Sequence, residues 1–184
     1  MSQSPDREKG GGSGNAGASS FERGVLDLMP SLRRYARALT RSDAEGEDLL
    51  QDSLERALTK RSQWSGTNLK AWAFTIMTNL YRNQAARAAR RRTAPLEEAV
   101  TLPATTSPPG DPLEQRRLAA AIDSLAPDFR AVLMLVVIEG MSYRDVAALL
   151  QIPEGTVMSR LARARGQLAR YLEADNVIPL RRSE

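Results

Sequence analysis

Apolar residues recur every three or four positions through most of this chain, and that spacing predicts helices. Between Phe21 and Leu39, the residues Leu26, Leu32, Tyr35, Ala36 and Leu39 define an apolar side, with a break or kink expected at Pro30. A second helix opens on Ser42-Asp43-Ala44-Glu45, a capping-box pattern in which a serine and a glutamate three residues later satisfy orphan backbone donors. It continues through Leu49, Leu50, Leu54, Ala57 and Leu58, while Glu45, Asp48, Asp52 and Glu55 occupy its other face. After a polar loop, Trp64 to Asn68, a long helix from Leu69 to about Arg92 turns Leu69, Trp72, Ala73, Ile76 and Leu80 to a core. Along it, Asn79, Arg82, Asn83, Ala86, Arg87 and Arg90 are spaced to share one face, so amides and guanidinium groups form a stripe.

Pro95, Pro103, Pro108, Pro109 and Pro112 deny regular hydrogen bonding to Thr93–Pro112, which reads as a flexible linker. Periodicity resumes at Leu113, with Leu118, Ile122 and Leu125 in one helix and Phe129, Val132, Leu133 and Val136 in another opened by Pro127. The β-branched run from Val132 to Ile138 lies inside this helical pattern, which ends at Gly140. Next comes a short helix whose Ser142 can cap the N–H of Asp145 and whose Val146, Ala147, Leu149 and Leu150 form an apolar stripe. Gln151 to Pro153 interrupt it, Pro153 suiting a first-turn position. A further helix buries Val157, Leu161, Ala164 and Leu168, leaving Met158, Ser159, Arg160, Ala162, Arg163 and Arg165 over its remaining surface. Helix, tight turn and Arg-studded helix form the layout of a DNA-reading helix-turn-helix. The expected fold is all-α. Two small helical domains, 21–92 and 113–173, lie between a disordered tail at 1–20 and a short tail at 174–184.

Composition narrows the chemistry. The 184 residues include no cysteine and no histidine, which removes disulfides, thiolate sites, the commonest metal ligand and the commonest general base. No phosphate-cradling glycine loop followed by lysine is present, so no catalytic, metal or cofactor site is expected. No apolar run is long enough to span a bilayer, and the Gly/Ser-rich start has no apolar core for a secretory signal, so a cytoplasmic protein is expected. Net charge is only +4, but its distribution is uneven. Arginines crowd Arg82–Arg92 and Arg160–Arg170, while Asp43–Asp52 is acidic. Two basic stretches imply two contacts with a polyanion, and the acidic helix implies a protein partner with a basic surface.

In this order the segments resemble an extracytoplasmic-function (ECF, group 4) sigma factor of bacterial RNA polymerase, in the sigma-70 family. Asp43-Ala44-Glu45-Gly46-Glu47-Asp48-Leu49-Leu50-Gln51-Asp52 is similar to region 2.2, and Ala71-Trp72-Ala73-Phe74-Thr75-Ile76-Met77-Thr78-Asn79-Leu80 to regions 2.3 and 2.4. Gly155-Thr156-Val157-Met158-Ser159-Arg160-Leu161-Ala162-Arg163-Ala164-Arg165 is similar to region 4.2. The resemblance spans nearly everything from Phe21 to Leu172, without a region 3 domain or an N-terminal autoinhibitory region.

It implies a first domain whose Asp48, Leu49, Gln51, Asp52 and Glu55 dock on the β′ clamp helices of core polymerase. The loop Trp64 to Asn68, with Asn79 and Asn83, would capture a flipped base of the −10 element, while Arg82, Arg87, Arg90, Arg91 and Arg92 hold backbone phosphates. The second domain would sit by the β flap with its last helix in the −35 major groove, where Met158, Ser159, Arg160, Arg163 and Arg165 face DNA. Met158 departs from the arginine or lysine many relatives carry and cannot make their polar contact. The linker, with Glu97, Glu98 and Asp111, would thread the polymerase channel, and an anti-sigma factor is an expected partner. Two other readings stay open: an autonomous dimeric helix-turn-helix regulator, and a sigma-like decoy for an anti-sigma factor.

Overall fold

Side-chain caps set where most of the helices begin. A computed structural model describes residues 13–92 and 111–174, which hold seven α-helices and one short 3₁₀ turn. They are α1 (Ser13–Leu39), α2 (Asp43–Thr59), α3 (Leu69–Arg92), α4 (Pro112–Asp123), α5 (Pro127–Val137), α6 (Tyr143–Leu150) and α7 (Glu154–Ala174), with the 3₁₀ turn at Arg61–Gln63. Ser42 Oγ accepts from Glu45 N at 3.2 Å, while Glu45 reaches back to Arg41 N at 3.0 Å, one residue beyond the usual return of a capping box. Asn68 Oδ1 caps α3 through Ala71 N at 3.0 Å, Asp111 caps α4 through Leu113 N at 2.9 Å, and Ser142 caps α6 through Asp145 N at 3.1 Å.

Several boundaries depart from the periodicity. The first helix starts at Ser13, so the later part of the expected disordered tail is helical. Extending an existing helix costs far less than nucleating one, and this lets weak formers such as Gly17 and Ser19 join it. Pro30 lies inside α1 without ending it. It is exposed, so the Leu26 carbonyl that loses its N–H partner lies on the side facing water. Pro112 belongs to α4 as its first residue, a position that needs no N–H, so the helix takes the last residue assigned to the linker. The rest of the expected linker, 93–110 with Glu97 and Glu98, lies outside the described residues.

The cores of the two helical groups are continuous. Leu32, Tyr35, Leu39, Leu49, Leu50, Phe74 and Met77 of α1–α3 join Leu125, Val132, Leu135, Val146, Val157 and Leu161 of α4–α7 in one buried cluster. Helix α1 packs against α5, and α3 packs against both α5 and α6. This placement overturns part of the expected core. Leu26, Leu58 and Leu118 are exposed at 67%, 53% and 45%. Burial in α1 instead runs through Phe21, Val25, Leu32, Tyr35, Ala36 and Leu39. In α3, Phe74, Met77 and Thr78 are buried along with Ala73 because elements lie on two sides of this helix.

Tyr35 and Arg130, polar groups inside this packing, are satisfied. Tyr35 is fully buried, shares a hydrogen bond with Thr78 Oγ1 at 2.9 Å, and has its phenol pKa pushed far above the ordinary value by burial. Gly46 sits where α2 crosses α1; an added Cβ there would lie 3.1 Å from Arg37 Cα and 3.2 Å from Thr40 Oγ1. Arg130 is 3% exposed and its guanidinium ties together both groups of helices. It donates to Leu39 O at 2.8 Å, to Ile122 O at 3.0 and 2.6 Å, and to Asp123 Oδ1 at 2.8 Å.

Candidate nucleic-acid interface

The turn between α6 and α7 is built from backbone. Gln151 ends α6 in the left-handed region with φ +55°, and Ile152 N donates back to Ala147 O at 3.1 Å. Pro153 precedes α7, and its carbonyl accepts from Thr156 N at 2.9 Å and Val157 N at 3.2 Å. Val157, Leu161 and Ala164 are buried and bolt α7 onto α5 and α6, fixing which face of α7 points outward. On that outward face Met158 is 54% exposed, and Ser159, Arg163 and Arg165 are exposed as well. Ser159 and Arg163 lie one turn apart on the helix. Arg160 is different. Its side chain is 20% exposed and its guanidinium pairs with Asp128 Oδ2 at 2.8 Å.

The stripe on α3 divides the same way. Asn79, Asn83, Arg87 and Arg90 are exposed, whereas Arg82 Nε pairs with Asp128 Oδ1 at 2.6 Å. Between α2, α3 and the start of α5 runs a groove of about 1400 Å³ lined by Asp52, Glu55, Asn79, Arg82, Asn83 and Asp128 among others. Amides on its wall can donate and accept toward a base edge, and the guanidinium groups suit phosphates.

Two residues expected to meet a flipped base also build their own loop. The Trp64 ring packs on Phe21 with centroids 5.3 Å apart and donates from Nε1 to Thr67 O at 2.9 Å. Asn68 spends its Oδ1 on the α3 cap from a backbone φ of +43°. Asp48, Gln51, Asp52 and Glu55 are exposed on α2, with Asp52 accepting from Gln84 Nε2 at 3.2 Å. Leu49 is a correction: at 1% exposure it is a core residue that supports the acidic face and cannot reach a partner. Sequence reasoning missed Asp128, because an acid directly after a helix-opening proline looks like a dipole partner for α5. Among the described residues no group of side chains is placed to hold a metal ion, and no helix is long and apolar enough to cross a membrane.

Known proteins share this arrangement. Residues 25–78 match the family described as the Sigma2 domain of PhyR, and residues 115–168 match Sigma-70, region 4. The ECF RNA polymerase sigma factor EcfG of Rhodopseudomonas palustris (strain TIE-1) is 39% identical over 156 residues, which cover 82% of this chain and 84% of the relative. The sigma factor RpoE from Bartonella quintana, solved in complex with the anti-sigma factor NepR, superposes with a TM-score of 0.68 at 31% identity, over 86% of this chain and 99% of that one. CnrH, solved in complex with the cytosolic domain of CnrY, gives a TM-score of 0.62 at 26% identity, over 86% and 91% of the two chains. With a sigma region 2 match on α1–α3, a region 4 match on α4–α7 and a relative of this identity along most of its length, the chain belongs to the ECF RNA polymerase sigma factors.

Proposed function

We propose that this chain directs core RNA polymerase to promoters through three surfaces: the acidic face of α2, the amide and arginine stripe of α3, and the outward face of α7. Asp48, Gln51, Asp52 and Glu55 meet the β′ clamp helices, and the second domain sits near the β flap. Asn79 and Asn83 read an unstacked base at the −10 element while Arg82, Arg87 and Arg90 hold phosphates. Met158, Ser159, Arg160, Arg163 and Arg165 face the −35 duplex. Melting is driven by trapped bases and backbone contacts, the polymerase forms every phosphodiester bond, and the chain itself catalyses nothing. Trp64 and Asn68 act by shaping the loop beside the stripe. Its place of action is the cytoplasm, where polymerase and promoter are. The exposure of the α3 amides and of the α7 recognition face on one chain carries this reading. An anti-sigma factor is the regulatory partner, a proposal supported by the relative RpoE, solved in complex with the anti-sigma factor NepR.

Run-off transcription from fragmented genomic DNA, with purified core polymerase and with or without this chain, tests the whole. Discrete new 5′ ends preceded by shared −35 and −10 motifs are expected. Tight duplex binding without polymerase and no new starts would instead identify an autonomous regulator, and neither activity would identify a decoy. The polymerase surface has its own test. Asp52→Arg reverses charge on the exposed face of α2, and affinity for core polymerase, followed by fluorescence of a labelled chain, is expected to fall about tenfold, the scale of a single charge pair at an interface. Unchanged affinity would remove the acidic face from that role.

A further inference from the structure

We propose that Asp128 is a latch that withholds one DNA-binding arginine of each domain while the chain is free, and that releasing it is coupled to separation of the two domains. This rests on the promoter reading above and concerns how the same surfaces are controlled.

Asp128 is the second residue of α5, and its carboxylate serves two arginines, Arg82 reaching both oxygens, with Nη2 3.5 Å from Oδ2. Oδ1 lies 2.6 Å from Arg82 Nε on α3, and Oδ2 lies 2.8 Å from Arg160 Nη2 on α7. A carboxylate seated between two guanidinium groups takes the place that a phosphate would occupy. These arginines belong to the two stripes assigned to different promoter elements. Elements centred near −10 and −35 are about 25 base pairs apart, on the order of 80 Å at 3.4 Å per base pair. Two side chains that share one carboxylate cannot serve both at once, so promoter engagement requires this contact to break.

Beside the apolar cluster that the two groups share, the remaining polar links across the same seam are of a kind that water can replace. Arg34 pairs with Glu139 at 3.0 Å, and the Glu139 side chain is 1% exposed. Arg130 donates to Leu39 O at 2.8 Å, and Thr75 Oγ1 donates to Leu149 O at 3.1 Å. Each donor and acceptor regains a hydrogen-bond partner in solvent when the seam opens, so the exchange is reversible. Asp128 stands apart among these contacts because it alone consumes DNA-facing groups.

The chain has no cysteine, so two introduced ones report cleanly. Spin labels at Asp27→Cys on α1 and Ala169→Cys on α7, both exposed positions, measure the separation of the domains in the full chain by pulsed dipolar spectroscopy. Asp128→Asn keeps the side-chain volume and its position at the start of α5 while removing the charge. Glu114→Gln, an exposed acid in the first turn of α4, controls for net charge. The expected result is a shift of the distance distribution to longer values in Asp128→Asn and not in the control. Affinity for a short random-sequence duplex is expected to rise about tenfold, with a salt dependence steeper by about two phosphate contacts. Raising salt should lengthen the distances in the parent by more than in Asp128→Asn, where the Arg34–Glu139 pair remains to be screened.

Unchanged distances with unchanged DNA affinity would overturn the latch. Opening without a gain in affinity would overturn the claim that these arginines are withheld, and a gain without opening would overturn the coupling to domain separation. None of these readouts involves polymerase. If Asp128→Asn opens and binds DNA while no promoter is ever initiated, the latch stands and the promoter reading falls.

Discussion

Arg130→Ala is expected to lower the unfolding free energy of the full chain by about 2–4 kcal/mol, read by urea denaturation and a fall of the thermal midpoint of roughly 5–15 °C. The magnitude follows from what is left behind. Arg130 supplies donors to two backbone carbonyls and one carboxylate from a site only 3% exposed, and alanine supplies none. Ile122 O and Leu39 O would then be stranded near apolar neighbours, which costs about 1–3 kcal/mol per buried group. Asp123 is 28% exposed and can turn to water, which keeps the total toward the lower part of the sum. Arg130→Lys separates charge from geometry. A single ammonium cannot fork to acceptors on α1 and α4 together, so it is expected to recover about half of the stability. A change below about 1 kcal/mol for alanine would show that the network contributes little.

Arg163→Ala is expected to weaken binding of the polymerase complex to its matched −35 sequence by about 1–3 kcal/mol, roughly 5- to 150-fold, while hardly changing binding to a scrambled sequence. Arg163 is exposed one turn beyond Ser159 on the face of α7 opposite buried Leu161 and Ala164, where a guanidinium can donate two hydrogen bonds to one guanine. Arg90→Ala supplies the contrast, because a phosphate contact carries no sequence information. Its effect should be uniform across sequences and should reduce the salt slope by about one. Competition binding against matched and scrambled promoter fragments reads both. Equal weakening on the two fragments for Arg163→Ala would remove Arg163 from base recognition.

How much of this was legible in the chain depends on which physical effect set each feature. Elements with a local cause could be read directly: Ser142 does cap α6, and the spacing of Val157, Leu161 and Ala164 does give the buried face of α7. Features set by a second neighbour could not. Phe74 and Met77 look surplus to an amphipathic α3 until neighbours on more than one side bury them, Phe74 against the Tyr35 ring of α1, and Leu26 and Leu58 stand beside the face that each helix actually buries. The site divides along the same line. The sequence marks the arginines, asparagines and acids by helical spacing, but not that Leu49 is spent in the core or that Arg82 and Arg160 meet on one carboxylate. Nothing in the spacing of Arg82, Asp128 and Arg160 announces that meeting, because it depends on how two separately folded patterns come together.

The packing of α5 against α1 and α3 also bears on how such chains diversify. The groups we propose to read DNA sit on α7, while those that hold the second domain to the first, Arg130 and Asp128, sit on α5, with Glu139 just after it, and Arg160 alone of the α7 set pairs with Asp128. One module therefore carries two separable sets of instructions. On that proposal, grafting the exposed α7 residues of a relative while keeping Arg160 transfers promoter choice and leaves the seam intact, whereas exchanging the entire second domain also exchanges the seam. Evolution can then retune promoter choice by drift on one helix face, and chimaeras joined between α3 and α4 will inherit a mismatch unless Arg34, Leu39 and Arg82 meet suitable partners.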